Sequence, residues 1–224
     1  MSSQGLIEKF IYSCSHDLRA PVSSIQGLVR IAEYYPHHDE IHKCLEMIEA
    51  CTHEMDKRLS TLRQYMVNDQ HTLVFETIDP LELIHKAKSE FKNQLGVCKI
   101  DLVADTGPAS SWTIDKYCAL RILEHLISNS IAFHDPEKKE SKIVVRVESN
   151  DRGSVLEVSD NGKGIPEDQQ ARIFDVFYRA TEDSIGPGMG LFLAQSLTEK
   201  MGGHISCTST LHLGTTIRVS FPKL

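Results

Sequence analysis

A seven-residue repeat runs through the first third of this chain, and few folds can satisfy it. Ile7, Ile11, Cys14, Leu18, Pro21, Ile25, Leu28, Ala32 and Tyr35 recur alternately four and three residues apart. That spacing averages 3.5 residues, close to one helical turn, so these side chains form a single stripe that must be covered by another helix. The segment YYPHHDE, with Pro36 and a run of polar residues, reads as a turn. The alternation then resumes at Ile41, Leu45, Ile48, Thr52, Met55, Leu59, Leu62 and Met66. Two such helices joined by a short turn make an antiparallel hairpin. A hairpin of this size buries little alone, and pairing with a second copy into a four-helix bundle is the economical solution. Periodicity by itself describes a generic coiled-coil dimeriser equally well.

From about residue 72 the pattern changes to short strands alternating with helices. TLVFETI reads as a strand, and Asp79-Pro80 opens a helix with an N-cap and a first-turn proline. CKIDLV is a second strand, and Asp115 caps a long helix running to about Phe133. Residues 142–149 and 154–159 form a hairpin around Asn150, Asp151, Arg152 and Gly153. A helix over about 188–200 follows a glycine-rich segment, and ISCTST with TTIRVSF closes the chain as another hairpin. Helices and largely antiparallel strands in this order point to a two-layer α/β sandwich. The fold class is therefore α+β, with a helical hairpin over 1–68, a hinge near Val67–His71 and a second domain over 72–224.

Bulk properties remove several functions. The net charge of −7 leaves no basic face for nucleic acid. No stretch reaches the roughly 18 apolar residues of a membrane span, and MSSQGLIEKF lacks the apolar core of a secretory signal. The cysteines at 14, 44, 51, 98, 118 and 207 show no paired ligand spacing, and the histidines form no metal-binding cluster. Reduced thiols in a cytoplasmic setting are expected.

Five short segments carry chemistry. In SHDLRAP, His16 lies two residues from seam positions Cys14 and Leu18, about 200° around the helix from each, so it points away from the bundle interior. A neutral imidazole is a nucleophile, and adjacent Asp17 can orient the ring and take its proton. Pro21 should kink the helix within about a turn of His16. In LEHLISNS, His125, Asn129 and Ala132 form one helical stripe opposite Leu123 and Ile127. Asn129 offers a carbonyl oxygen suited to Mg²⁺. In SDNGKGIP, Asp160 could accept a hydrogen bond from the amine of a base, while Gly162 and Gly164 admit a flat ring close to the backbone. IFDVFYRA carries Arg179, a natural phosphate partner. In GPGMGL, Gly186, Gly188 and Gly190 precede a helix, whose free amides can hold phosphates.

In this order the five segments resemble the histidine kinase family: its phosphoacceptor box, asparagine box, and glycine, phenylalanine and glycine boxes. The resemblance extends to GTTIRVSFP, which looks like the closing strand of the family's ATP-binding domain. It implies a dimeric four-helix bundle bearing Bergerat-type ATP-binding sandwiches of the gyrase and Hsp90 kind. It implies ATP and Mg²⁺ as cofactors, a homodimer, and a response regulator receiver domain as partner, in the cytoplasm or on the cytoplasmic part of a longer sensor, without nucleic acid or membrane contact within this chain. Residue by residue, His16 matches the phosphoacceptor with Asp17 beside it, Asn129 the magnesium ligand and Asp160 the adenine-binding aspartate. Gly162, Gly164, Gly186, Gly188, Gly190 and Leu191 match positions framing the nucleotide and its lid. Arg179 falls among the phosphates, and Thr215 resembles a threonine near adenine. Two positions depart from the pattern. His125 stands where the family usually has a second asparagine, as also in the chemotaxis kinase, and Ala132 stands where a phosphate-binding lysine is common. Lys138 and Lys139 are expected to replace that cation. A nucleotide-binding scaffold without turnover, and an ATPase of the gyrase or chaperone type, are the rival readings. Ala20, where bifunctional members carry threonine or asparagine, implies weak phosphatase activity.

Overall fold

The computed structural model describes residues 3–34, 38–106, 111–150, 153–176, 178 and 188–223, with side chains from residue 19 onward, His38 excepted. They divide into two compact units, Met1–Gln70 and His71–Leu224. Tyr35 and Pro36 of the expected turn, Asp151 and Arg152 of the hairpin tip, Arg179 and Gly186 lie outside the described residues, as do the side chains of Ile7, Ile11, Cys14 and Leu18.

The first unit is a helical hairpin, α1 (Ser3–Tyr34) and α2 (His38–Gln70). α1 continues through Pro21. On α1 the inward side chains are Pro21, Ile25, Leu28 and Ala32, as the repeat expects. On α2 the expected stripe is only half right. Ile41, Ile48, Met55 and Leu62 are partly covered, but the positions between them that turn inward are Cys44 and Cys51. Leu45, Thr52, Leu59 and Met66 are exposed instead. The two sets are one residue, or 100°, apart on the helix. A helix in a bundle faces two neighbours, so two interleaved stripes share one sequence pattern. α1 covers one of them, and the other is left facing outward with Val22 and Val29 of α1.

The second unit has a five-stranded sheet and a two-stranded ribbon. The order along the chain is β1 (Phe75–Ile78), α3 (Pro80–Glu90), α4 (Lys92–Cys98), β2 (Ile100–Thr106), β3 (Trp112–Asp115) and α5 (Lys116–Ala132). Next come β4 (Ser141–Asn150), β5 (Gly153–Asp160), α6 (Glu167–Gln170), α7 (Gly190–Lys200), β6 (His204–Thr210) and β7 (Gly214–Pro222). The large sheet runs β2-β4-β5-β7-β6, antiparallel except for the β2–β4 pair, and β1 pairs with β3. Burial alternates with the strand period: Ile143, Val145 and Val147 on β4, Leu156 and Val158 on β5, and Ile217, Val219 and Phe221 on β7 point into the core. There they join the inner faces of α3, α5 and α7. The opposite face carries an ion-pair ladder, with Arg146 bonded to Asp105 (2.7 Å) and Glu157 (3.5 Å), and Arg218 to Glu157 (3.3 Å). One buried and one polar face give the expected two layers.

Asp79 caps α3 through the Leu81 amide, with Pro80 in the first turn. Asp115 likewise caps α5, and it does more. Its Oδ1 accepts from the Cys118 amide (2.8 Å), while Oδ2 accepts from the Val74 amide (2.7 Å) and bonds His71 Nε2 (2.9 Å). Burial pushes this carboxyl upward, but the hydrogen bonds from Cys118, Val74 and His71 outweigh it and hold the group below its ordinary value. Burial, and then the Asp115 charge, push the neighbouring Cys118 thiol up to about 12. The ligand atoms of His71, Asp115 and Cys118 lie within 4.8 Å of one another. With the carboxylate engaged and the thiol kept protonated, the trio is a latch joining the start of this unit to α5.

Candidate functional site

α5 places a polar stripe beside the end of β5 and the start of α7. Its apolar side is fully buried through Leu123, Leu126 and Ile127, while His125, Asn129 and Ala132 are only half-buried. The Asn129 amide makes no hydrogen bond among the described residues. A Cβ added at Gly190 would lie 3.4 Å from its Oδ1, so the asparagine oxygen faces the first turn of α7. That helix has no side-chain cap at Met189. The helix N-terminus, whose dipole favours an anion, thus lies next to an oxygen that can hold a hard cation.

Asp160 ends β5 opposite Thr215 of β7 and Ile143 of β4. Oδ2 accepts from Ser130 Oγ (2.9 Å), and Oδ1 accepts from the amides of Gly162 (2.9 Å) and Thr215 (3.3 Å). Burial raises the carboxyl above its usual range, opposed by the Gly162, Ser130 and Thr215 hydrogen bonds and by the Lys138 charge. The result is a carboxylate held rigidly on one side, with lone-pair capacity left for a donor such as an exocyclic amine. The loop after it is tightly packed. A Cβ at Gly162 would collide with the Phe133 carbonyl oxygen, and Gly164, at φ +70°, would collide with Thr210. Gly188 also has φ +70°.

His125 sits one helical turn before Asn129. Burial, reinforced by the Arg121 cation, pushes its imidazole down to about 4. It is therefore a neutral ring at cellular pH, able to accept as well as donate a hydrogen bond.

Among the expected site residues, the structure brings Asp160, Gly162, Gly164 and Thr215 together and sets Asn129 beside Gly190, one turn after His125. Leu191 follows Gly190 in the first turn of α7, half-buried against the core. His16 and Asp17 lie within α1, and their side chains are outside the described set. One expectation is corrected. Lys138 does not reach out as a replacement phosphate cation. Its ammonium is bonded to the carbonyls of Asn161 (2.5 Å), Gly162 (3.1 Å), His212 (2.8 Å) and Leu213 (3.3 Å). Sequence reading also misses Ser130, Ser209, Gln170 and Gly214. Ser209 accepts from the Ile165 amide (2.8 Å) and bonds Thr215 Oγ1 (2.9 Å), and Gln170 donates to the carbonyls of Ile165 (3.0 Å) and Ser209 (2.9 Å). A Cβ at Gly214 would strike the Asp160 carbonyl. Ser130 was within reach of inspection, because it neighbours Asn129 and is buried on an otherwise apolar face.

Comparison with known proteins points to one family. Residues 115–224 match the family described as histidine kinase-, DNA gyrase B- and HSP90-like ATPases, and residues 6–69 match the His Kinase A (phospho-acceptor) domain. Sensor protein SrrB of Staphylococcus aureus is 28% identical over 226 residues, an alignment spanning 96% of this chain but only 38% of SrrB. In solved structures, histidine kinase ThkA, in complex with response regulator protein TrrA, superimposes with a TM-score of 0.71 at 21% identity, covering 99% of this chain and 63% of ThkA. Histidine kinase AdeS of Acinetobacter baumannii gives 0.65 at 19%, covering 92% and 97% of the two chains. Full-length ShkA in complex with AMPPNP gives 0.65 at 20%, covering 96% and 45%. Those structural likenesses establish the fold.

Proposed function

The chain belongs to the histidine kinases, as the catalytic core of an ATP-using sensor kinase, and from that premise we propose that it moves the γ-phosphoryl group of ATP first to His16 and then to an aspartate of a response regulator receiver domain. The observation that carries this reading is the Asp160 carboxylate, gripped by Ser130, Gly162 and Thr215 next to a helix whose Asn129 side-chain oxygen faces the first turn of α7. A base with an exocyclic amine fits the first group and a polyphosphate the second.

In the proposed reaction one ring nitrogen of His16 attacks the γ-phosphorus. The bond from phosphorus to the β–γ bridging oxygen breaks, and ADP leaves with the electron pair. The proton on the other ring nitrogen passes to Asp17. A receiver aspartate then attacks the same phosphorus, the phosphorus–nitrogen bond breaks with its electron pair returning to the ring, and the ring regains a proton to restore neutral His16. Asp160 holds adenine, with Thr215, Gly162 and Gly164 framing the ring. By their places in the sequence motifs, Arg179 and the amides of Gly186, Gly188, Gly190 and Leu191 would line the phosphates, and Asn129 would hold Mg²⁺. When bound, that cation neutralises phosphate charge, the main demand of a loose phosphoryl-transfer transition state. Neutral His125 adjusts the reacting end of the site. The outward stripe of Leu45, Leu59 and Met66 supports a homodimer through the hairpin. No helix among the described residues is long and apolar enough to cross a membrane. The chain spans 38% of SrrB, a sensor protein, and a cytoplasmic placement of this core is part of the proposal.

Incubation with γ-³²P-ATP tests the proposal. A kinase incorporates acid-labile label that His16→Gln abolishes without loss of ATP affinity. Free phosphate without labelled protein would instead indicate an ATPase, and bound nucleotide with neither product a scaffold. Acid-labile label persisting in His16→Gln would refute the assignment.

A further inference from the structure

One lysine ties the loop after Asp160 to the turn between β6 and β7. Lys138 lies in the connection between α5 and β4, yet its Nζ meets carbonyl oxygens from two distant segments. Asn161 (2.5 Å) and Gly162 (3.1 Å) belong to the loop after Asp160, and His212 (2.8 Å) and Leu213 (3.3 Å) to the turn between β6 and β7. An ammonium has three protons, so four carbonyls share them around one point of positive charge. The same two segments are joined directly by the His212 amide, which donates to the Lys163 carbonyl (2.6 Å). With the Asn161 and Gly162 carbonyls turned back to Lys138, the Gly162 amide is turned forward onto Asp160 Oδ1 (2.9 Å). Thr215, whose amide reaches that same oxygen, follows the clamped turn by two residues. The cation thus ties down both segments whose amides reach the carboxylate, its charge also acts on Asp160, and Asp160 in turn acts on the Cys207 thiol.

We propose that Lys138 is a positioning residue for base selection, fixing the Asp160 carboxylate where it accepts from the amine of adenine and disfavours the carbonyl that guanine presents there. This rests on the reading of Asp160 as the adenine acceptor. A compact ammonium suits the task, because a planar guanidinium cannot converge its donors on one point.

The test is the ratio of ADP to GDP affinity, measured by calorimetry with Mg²⁺ on the whole chain for wild type, Lys138→Met, Lys138→Arg, Lys139→Met and Asp160→Asn. Lys138→Met should lower the preference for ADP by about tenfold, the equivalent of losing one good charged contact, and Lys138→Arg by a smaller factor. Exposed Lys139 serves as control and should leave the ratio unchanged. A merely structural lysine would weaken both nucleotides equally. If Lys138→Met does not fold, Lys138→Arg decides the matter. A wild-type ratio in a folded Lys138 variant, with Asp160→Asn losing its preference, overturns the inference and leaves the adenine reading standing. An unchanged ratio in Asp160→Asn overturns the adenine reading itself.

Discussion

Acid should weaken the ATP-binding unit through His125, by an amount the structure allows to be worked out. The imidazole titrates near 6.5 when free and is pushed down to about 4 in the fold, first by burial and then by the Arg121 cation. Between these values the unfolded chain binds a proton that the folded chain refuses, so stability falls as pH falls. The full loss, reached below the folded value, is about 3 kcal/mol, and about 2 kcal/mol is already lost between pH 8 and pH 5. Against a typical domain stability of about 5–15 kcal/mol this is readily measured. The chain's one tryptophan, Trp112, is 1% exposed in the core of the second unit, so its emission follows the unfolding of that unit. Urea titrations monitored this way at several pH values, on wild type and His125→Gln, give the comparison. Asp160 and Glu124, both raised by burial, act in the opposite direction, so only the difference between the two proteins isolates residue 125. That difference should shift by about 2 kcal/mol against wild type on going from pH 8 to pH 5. Parallel curves for the two proteins would refute the desolvated, neutral imidazole, and with it the role proposed for His125 as a neutral group beside the phosphates.

Other outcomes follow from the same geometry. Asp115→Ala removes a helix cap and strands the Val74 amide, and it should cost about 2–4 kcal/mol in the same urea assay; a loss below about 1 kcal/mol would contradict the latch. Leu45→Asp with Leu59→Asp charges the outward stripe of α2 and should convert the dimer to monomer in sedimentation, with helicity by circular dichroism retained. A dimer of unchanged strength would place the interface elsewhere. Ala20, exposed on α1 one turn after His16, has no side-chain group to orient a water. Wild type should therefore scarcely hasten the decay of phosphorylated regulator, and Ala20→Thr should hasten it while His16 labels at the same rate. Strong phosphatase action by wild type with ADP would overturn that reasoning.

Sequence exposed those parts of the molecule in which side-chain identity carries the physics. Asp79-Pro80 and Asp115 announce helix starts because few residues cap well, and both caps are present. Alternating Ile143, Val145 and Val147 announce a strand because the pleat sorts one face from the other. The misses have a common cause as well. β3 is only four residues long, too short for any period to register, and its place comes from pairing with β1. α4 and α6, of seven and four residues, lie below the length at which an apolar stripe is visible. On α2 the repeat is legible, but one pattern covers two faces. A four-three alternation permits either Cys44 and Cys51 or Leu45 and Leu59 to face α1, and hydrophobicity favours the leucines. The cysteines take the inner side, and the larger leucines stay outside, where a second copy would cover them.

Lys138 shows the sharper limit. Nothing in EKKE distinguishes it from its neighbour, and a lysine near a nucleotide site invites the idea of a phosphate contact. Its partners are four backbone carbonyls, groups that every residue offers, so no choice of residue at 161, 162, 212 or 213 could reveal the tie. On the proposed reading, Asp160 is legible because a carboxylate is the natural acceptor for an amine there, whereas the parts proposed to aim it, two amides and a cation acting on carbonyls, appear only once the chain is folded. On that proposal, selectivity for the base depends on the register between β5 and β7, which brings Asp160 opposite Thr215 and the 212–213 turn within reach of Lys138. Sliding β7 by one residue would keep every motif in the sequence intact and still dismantle the pocket.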